Sequence, residues 1–406
     1  MESIATSSVP NIPSAWYGKW EGKYEDCTKI VKKSIQKQIQ QGVWFRGHFP
    51  GLNITSDIEF REEITKVYMA WYTATKYTEM VKWSGSFMTL LKTRGQDKKV
   101  VPQSLQQKWK QKEEILETDL PTDFTTIKTT SSHPYMVIQS TETNKQPCIL
   151  AFRVPIPSGF IQQLRNSHSL LPTRETKSKQ RGTHTSRHYA LWADYSVTPY
   201  MSNEFLKDGT SAIEWAKLNK PLFNYLADEL KLRDPTTFIK MKDTPWLDNI
   251  IGYKGLNLGQ NAKRAIKRRK RKEETSSDWE DEEEVKLQKV GGLWHGLAVN
   301  EGQTKSGKPH KDYADAKEAF NCVIPYGDWQ GGEIILWDLK QKVELKEGQA
   351  LFFRGRIIIH NAWRIVGVRN CVDLFIHESL KRLDNKNKKH SGNKERNQKR
   401  KRRSSC

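Results

Sequence analysis

Two patterns of apolar and polar residues occur along the chain, one helical and one typical of strands. Between residues 211 and 232 apolar side chains recur at helical spacing and stop before Asp234-Pro235, which predicts one helix. Its apolar positions are Ile213, Trp215, Leu218, Leu222, Leu226 and Leu230. From residue 291 onward, short β-type runs are separated by glycine-containing turns. They predict seven strands, at 293–300, 320–325, 333–337, 342–345, 350–354, 357–365 and 370–377.

Seven short strands within 90 residues indicate an antiparallel sandwich or jelly roll. Upstream of them, the pattern predicts a strand at 148–154, a helix at 158–164 and a polar basic loop at 173–187. We therefore predict the α+β class, in which helices flank a jelly-roll core. The predicted domain spans 135–380, with its core at 291–378 and a charged insertion at 261–288.

Residues 1–130 make a mixed amino-terminal region, rich in aromatic and basic side chains, whose fold the pattern does not define. The Thr/Ser-rich stretch at 122–132 is typical of a linker and separates this region from the domain. Aromatic residues interleaved with lysines, as between Trp16 and Tyr24, can stack on nucleic-acid bases. Aromatic residues buried in an ordinary core are the commoner explanation.

The net charge of the chain indicates which class of partner it binds. The 406 residues contain 68 Lys and Arg against 47 Asp and Glu, a net charge of +21, which favours polyanionic partners and nucleic acid first. Residues 381–406 hold 12 basic and 2 acidic residues, so 12 − 2 = +10 lies in a tail that we expect to be disordered. A second basic cluster at 263–272 is followed by an acidic run. Both clusters are candidate nuclear localisation signals, phosphate-binding arms or solubilising segments.

The cysteines and apolar runs indicate an intracellular protein. Five scattered cysteines without a C-x-x-C pair do not form a disulfide or zinc pattern. The amino terminus lacks a basic start followed by an apolar stretch, so we expect no secretory signal. The apolar runs are too short to span a bilayer. Together with the basic clusters, these features favour a nuclear location and no membrane partner.

Four residues of the β region suggest metal chemistry. His310 and Asp312 are separated by one residue, so on a strand both project from one face. His360 ends an apolar run, and Arg369 opens the last predicted strand. Taken singly, an H-x-D pair arises by chance and a lone histidine is more often a core residue. Taken together, two histidines and a carboxylate match the facial triad that holds Fe(II), and arginine offers a fork for a carboxylate.

The sequence resembles the Fe(II)/2-oxoglutarate-dependent dioxygenases with a double-stranded β-helix, whose pattern is H-x-D, a distal H and R-x-S. More narrowly, residues 309–312 (PHKD), 320–328 (FNCVIPYGD) and 331–333 (GGE) resemble the fungal Tet/JBP-like oxygenases. The resemblance implies iron ligands at His310, Asp312 and His360, and a 2-oxoglutarate anchor at Arg369. Cys371 stands where that family usually has serine, as a second residue on the 2-oxoglutarate side.

The resemblance also implies a function: an oxidoreductase that uses Fe(II), 2-oxoglutarate and O2 to oxidise the methyl group of 5-methylcytosine or thymine in DNA. We take Asn300, His295 and Trp363 as candidate substrate contacts, and His377 as a structural residue. Two alternatives stay open. One is an oxygenase acting on a protein side chain or an alkylated base, and the other is an inactive, transposon-derived nucleic-acid-binding protein.

Overall fold

A computed structural model describes residues 78–92, 100–130, 133–140, 148–172, 184–192, 200–244 and 289–380. Most of the amino-terminal region, the charged insertion at 261–288 and the basic tail lie outside these residues. The described strands are β1 (Thr78–Trp83), β2 (Thr125–Ile127), β3 (Tyr135–Ser140), β4 (Cys148–Pro155), β5 (Thr185–Trp192), β6 (Tyr200–Met201), β7 (Gly296–Gln303), β8 (Asn321–Gly331), β9 (Ile334–Leu336), β10 (Gln341–Val343), β11 (Gln349–Phe353), β12 (His360–Ala362) and β13 (Ile365–Phe375). The described α-helices are α1 (Phe87–Lys92), α2 (Gln103–Gln111), α3 (Ser158–Ser167), α4 (Asn203–Leu218), α5 (Lys220–Arg233) and α6 (Pro235–Lys242).

The strands form two sheets, and successive segments of the chain contribute strands to one sheet and then to the other. The larger sheet has nine strands in the order β1-β3-β4-β11-β8-β13-β7-β5-β6, and the smaller has four in the order β12-β9-β10-β2. From β7 onward the chain visits the large sheet, then β9 and β10 of the small one, then β11, β12 and β13 in alternation. This winding is the double-stranded β-helix, or jelly roll, so the predicted α+β class with a jelly-roll core is confirmed.

Side-chain alternation along the strands separates two layers of core. On β11, Leu351 and Phe353 pack toward the small sheet, with Leu336 and Val343 among their neighbours. Phe352 points to the other face, where it belongs to the same cluster as Trp215 of α4. Because successive residues of a strand face opposite sides, one strand contributes to both layers. The helices therefore cover the outer face of the large sheet and leave its inner face for the space between the sheets.

Several predicted boundaries shift for identifiable reasons. The predicted helix at 211–232 is two helices, because Asn219 ends α4 by donating its side-chain amide to the Trp215 carbonyl at 2.8 Å, and Pro221 opens α5. Leu218 consequently lies 46% exposed instead of in the core. In the β region, the seventh strand begins at Ile365, because a ten-pair ladder with β8 extends through the exposed Val366 and Val368.

Two further segments differ from their sequence prediction. Residues 185–187, predicted as loop, open β5, which pairs with β7 from Thr185 to Ala190. Strand β1 lies before the predicted linker at 122–132 and β2 lies within it, and β1 pairs with β3 while β2 pairs with β10. The large sheet thus includes residues from before the linker, and the small sheet includes residues of the linker itself. No helix among the described residues is long and apolar enough to cross a membrane.

A buried arginine at the end of β11 connects the core strands to the helices. Arg354 donates Nε to the Ile149 carbonyl at 2.9 Å and Nη1 to the Glu318 carbonyl at 2.8 Å. Its Nη2 reaches the Asp234 carboxylate between α5 and α6 at 3.3 Å. The guanidinium also lies 4.3 Å from the centre of the Phe320 ring. These contacts stabilise the segment that follows Arg354.

We predict that Arg354→Met lowers the free energy of unfolding by about 3 kcal/mol or more, because removing one partner of a buried ion pair leaves the other charge uncompensated. Urea denaturation followed by circular dichroism measures the change. The matched control is Arg364→Met, since Arg364 is exposed and pairs at 3.4 Å with the exposed Glu114. Its cost should stay below about 1 kcal/mol. Equal losses in the two variants would contradict the role assigned to Arg354.

Candidate metal centre

Two backbone hydrogen bonds bring His310 and His360 together. The His310 N–H donates to the His360 carbonyl at 3.0 Å, and the His360 N–H donates to the His310 carbonyl at 2.9 Å. This pair forms an antiparallel bridge at the edge of the small sheet. Residues 50 positions apart in sequence thereby place their imidazole rings 4.5 Å apart, centre to centre.

Each imidazole is oriented by a second backbone contact. His310 Nδ1 lies 2.8 Å from the Lys308 carbonyl, and His360 Nδ1 lies 3.0 Å from the Ile358 carbonyl. A carbonyl oxygen only accepts, so Nδ1 carries a proton in both rings and Nε2 is the nitrogen that is left to bind a metal. Such a contact to the far ring nitrogen is what orients histidine ligands in metal sites.

Asp312 completes the group. Its Oδ1 lies 3.6 Å from His310 Nε2, and its Oδ2 lies 3.4 Å from His360 Nε2. One ligand atom from each of the three residues lies within 4.8 Å of the others. Two imidazole nitrogens and one carboxylate oxygen facing one point make a donor set suited to Fe(II).

Two residues without a role in the sequence analysis hold Asp312 in place. Asn321 donates its side-chain amide to Asp312 Oδ2 at 3.0 Å and to Asp315 Oδ2 at 2.6 Å. The Asp312 N–H donates to the Gly355 carbonyl at 2.9 Å. A Cβ on Gly355 would lie 2.5 Å from Asp312 Oδ2, so only glycine leaves room for the carboxylate. Asn321 lies in the segment 320–328 and Gly355 directly follows the predicted strand at 350–354, but neither position by itself indicates a contact with a metal ligand.

The three residues border a cavity of about 290 Å³ between the sheets. Its wall includes Arg369, Cys371 and Asp373 of β13, together with Asn300 and Gln303 of β7. Ser186 and His188 of β5, with His184 just before the strand, add side chains to this wall at alternate positions. His184 and Ser186 lie in the stretch 173–187, where a loop was predicted. Their period of two is the signal by which the sequence indicates a strand with one face toward the cavity.

The candidate substrate residues have different positions. Asn300 lines the cavity, and so does His377. His295 is buried and donates its backbone N–H to the Phe375 carbonyl at 3.1 Å, but His295 itself is not among the residues that line the cavity. Trp363 is fully buried in a cluster with Trp109 and Trp337, and its indole N–H donates to Glu117 at 2.9 Å. The structure therefore brings Asn300 to the candidate site and leaves His295 and Trp363 outside the cavity wall.

Arg369 is buried, and only part of its guanidinium group has a hydrogen-bond partner. Its Nη1 donates to the Gln303 side chain at 3.2 Å. Within the described part of the chain, neither Nε nor Nη2 has a hydrogen-bond partner. Nε and Nη2 form one parallel edge of the guanidinium, which is the edge that binds a carboxylate in two parallel hydrogen bonds. Arg369 thus fits the carboxylate of a dicarboxylic acid such as 2-oxoglutarate.

Cys371 and Asp373 continue the same wall. The Cys371 thiol lies 2.9 Å from Asp373 Oδ1, and the Asn300 amide donates to Asp373 Oδ2 at 2.6 Å. Burial raises the pKa of the Cys371 thiol well above its usual range, so the thiol stays protonated. Burial also raises the pKa of Asp373. The protonated thiol therefore donates to Asp373.

No protein-family model and no curated protein matches the chain. Among solved structures, NgTET1 in complex with 5mC DNA is 15% identical, with a TM-score of 0.40 over 64% of this chain and 84% of that one. OsALKBH1 is 12% identical, with a TM-score of 0.30 over 56% and 96% of the two chains. A 2OG-Fe(II) oxygenase family oxidoreductase from Burkholderia pseudomallei is 18% identical, with a TM-score of 0.19 over 20% and 43%. Because these identities and TM-scores are low, the function of this protein is inferred from the geometry of its site.

We predict that Gly355→Ala weakens metal binding, because the added Cβ displaces the Asp312 carboxylate. The expected loss is about 10- to 100-fold, as for other changes to residues that hold metal ligands. Calorimetric titration with Mn(II) or Co(II) measures it. The control is Gly159→Ala in α3, where a Cβ meets nothing within 4 Å. Equal affinity in the two variants would show that Gly355 does not position Asp312.

Proposed function

We propose that this protein is an Fe(II)- and 2-oxoglutarate-dependent dioxygenase that oxidises a methylated base in DNA, of the 5-methylcytosine type. One observation carries the proposal: a His-Asp-His group and an arginine with a free, buried carboxylate-binding edge line the same cavity. The first suits Fe(II) and the second suits a dicarboxylic acid. Neither has an evident structural use without the other.

His310, Asp312 and His360 would hold the metal through Nε2, a carboxylate oxygen and Nε2. A facial triad of this type leaves three coordination positions open for a co-substrate and oxygen. When bound, the iron and 2-oxoglutarate supply the oxidising chemistry with O2. The carbonyls of Lys308 and Ile358 accept from Nδ1–H of the two rings and so leave Nε2 of each ring as the nitrogen that would bind a metal.

The cavity wall supplies binding and water exclusion. Arg369 would bind the distal carboxylate of 2-oxoglutarate with its Nε and Nη2 edge, in an interior where charge-assisted hydrogen bonds are strong. Phe353, Val323, Ile334 and Phe375 give the wall apolar surface around the metal group. Such surface limits access of water to a reactive centre.

The choice of DNA as substrate rests on charge and on the sequence resemblance. A net charge of +21 suits phosphate contacts, and a base in duplex DNA must leave the stack to enter a cavity. A protein side chain or an alkylated base remains the alternative substrate of the same chemistry. Product analysis on several substrates separates the two.

We predict that His310→Ala and Asp312→Ala abolish succinate formation coupled to loss of 5-methylcytosine, because each removes a metal ligand. Mass spectrometry of methylated DNA incubated with protein, Fe(II) and 2-oxoglutarate measures both quantities. His133→Ala serves as the control, since His133 is exposed and outside the cavity. Unchanged turnover in the two ligand variants would refute the assignment. Turnover of a methylated peptide instead of DNA would move the function to the alternative substrate class.

We also propose that the basic tail at 381–406 holds DNA and directs the protein to the nucleus. These residues lie outside the described part of the chain, so the proposal rests on their charge of 12 − 2 = +10.

We predict that deleting residues 381–406 makes the salt dependence of DNA binding shallower, because fewer counterions are released from the DNA. Fluorescence anisotropy at several salt concentrations measures the slope, and microscopy of tagged protein measures nuclear accumulation. A deletion that alters neither quantity would leave the tail as a solubilising segment.

A further inference from the structure

We infer that Asp373 is a substrate-reading carboxylate, which accepts a hydrogen bond from an amino group of the substrate and so favours amino-bearing bases over oxo-bearing ones. The inference rests on the proposed function and extends it to a property of the substrate. It concerns a residue that the metal group and the co-substrate anchor do not use.

The strand geometry directs Asp373 into the cavity. Arg369, Cys371 and Asp373 occupy alternate positions of β13, so their side chains share one face. All three line the cavity, with Asp373 four residues beyond the candidate co-substrate anchor. Burial has the largest effect on the pKa of Asp373 and raises it, and the hydrogen bond from Cys371 lowers it. The negative charge of Asp312 raises this pKa and the positive charge of Arg369 lowers it. Asp373 therefore lies within electrostatic reach of both the metal group and the anchor.

The neighbours of Asp373 orient it without neutralising it. Asn300, directly opposite Cys371 on β7, donates to Oδ2 at 2.6 Å. The Cys371 thiol donates to Oδ1 at 2.9 Å. Both donors are neutral, and no Lys, Arg or His nitrogen of the described residues forms an ion pair with this carboxylate. A carboxylate has about four acceptor positions, so about two remain for a ligand.

The Asp373 carboxylate can accept further hydrogen bonds in the cavity wall, so it distinguishes ligands that carry a donor from ligands that carry an acceptor. A carboxylate removed from water gains a hydrogen bond when the ligand brings an N–H, and meets repulsion when the ligand brings a carbonyl oxygen. Cytosine and adenine carry an exocyclic amino group where thymine and guanine carry a carbonyl, and Asp or Glu is the usual acceptor for the cytosine amino group. Asp373 is thus suited to prefer 5-methylcytosine over thymine, although both carry the same methyl group.

The test compares binding of short single-stranded oligonucleotides that differ only in one central base, 5-methylcytosine or thymine. Single strands remove the cost of base flipping, so the ratio of the two dissociation constants reports recognition of the base. Fluorescence anisotropy with Mn(II) and 2-oxoglutarate present gives this ratio without turnover. We expect the wild-type protein to favour 5-methylcytosine by about tenfold.

Asp373→Asn keeps the shape and replaces an acceptor by a donor, so the preference should fall to about even or reverse toward thymine. Asn300→Ala provides a second variant, which removes the contact that orients Asp373 and should reduce the preference at least about threefold. The matched control is Asp328→Asn, an exposed aspartate on β8 outside this cavity, for which the ratio should not change. Thermal melting of each variant identifies any loss of fold.

Two outcomes would overturn the inference: equal affinity of the wild-type protein for the two oligonucleotides, or an undiminished ratio in both the Asp373→Asn and the Asn300→Ala variants. Succinate formation from 2-oxoglutarate and Fe(II), measured in parallel, tests the proposed chemistry by itself. A wild-type preference that Asp373→Asn removes, in a protein that forms no succinate, would support the base reading and refute the dioxygenase.

Discussion

The candidate site depends on the pair of backbone hydrogen bonds between His310 and His360. These bonds set the register between two segments that lie 50 residues apart, and the register decides which side chains face the cavity. A slip of one residue would turn Lys311 toward the cavity and both metal-ligating positions of that segment away from it. The same edge orients the rings through the Lys308 and Ile358 carbonyls. The backbone pairing of His310 with His360 and the orientation of their two imidazole rings therefore depend on the same pair of segments.

The position of Asp312 depends on a hydrogen bond and on a close approach of the backbone. Asn321 donates a hydrogen bond to the Asp312 carboxylate, and Gly355 has no side chain that would clash with it. Gly355 directly follows the buried Arg354. Arg354 in turn connects β4, the Glu318 segment and the Asp234 carboxylate. The position of one metal ligand thus depends on contacts that reach the helical layer. This explains why helices outside the β core matter for a site that lies between the two sheets.

The opposite wall of the cavity contains one cation and one acid on the same strand. Arg369 keeps an unpaired edge, whereas Asp373 is engaged by two neutral donors. If a dicarboxylic acid takes the arginine edge, Asp373 is left as the acceptor that faces a substrate. The thiol of Cys371 donates to Asp373, which lies two residues further along the same strand.

Local sequence patterns are enough to predict the elements whose signal spans a few residues. The strand runs after residue 291, the H-x-D spacing, and the distal histidine and arginine all follow from side-chain periodicity and residue chemistry, which act over a few residues. The tertiary structure alone decided which distant segments pair and which strand faces meet. It separated Trp363 from the cavity, brought Asn300 into its wall, and gave Asn321, Gly355 and Asp373 their places. These outcomes depend on packing between segments far apart in sequence, and no local pattern contains that information.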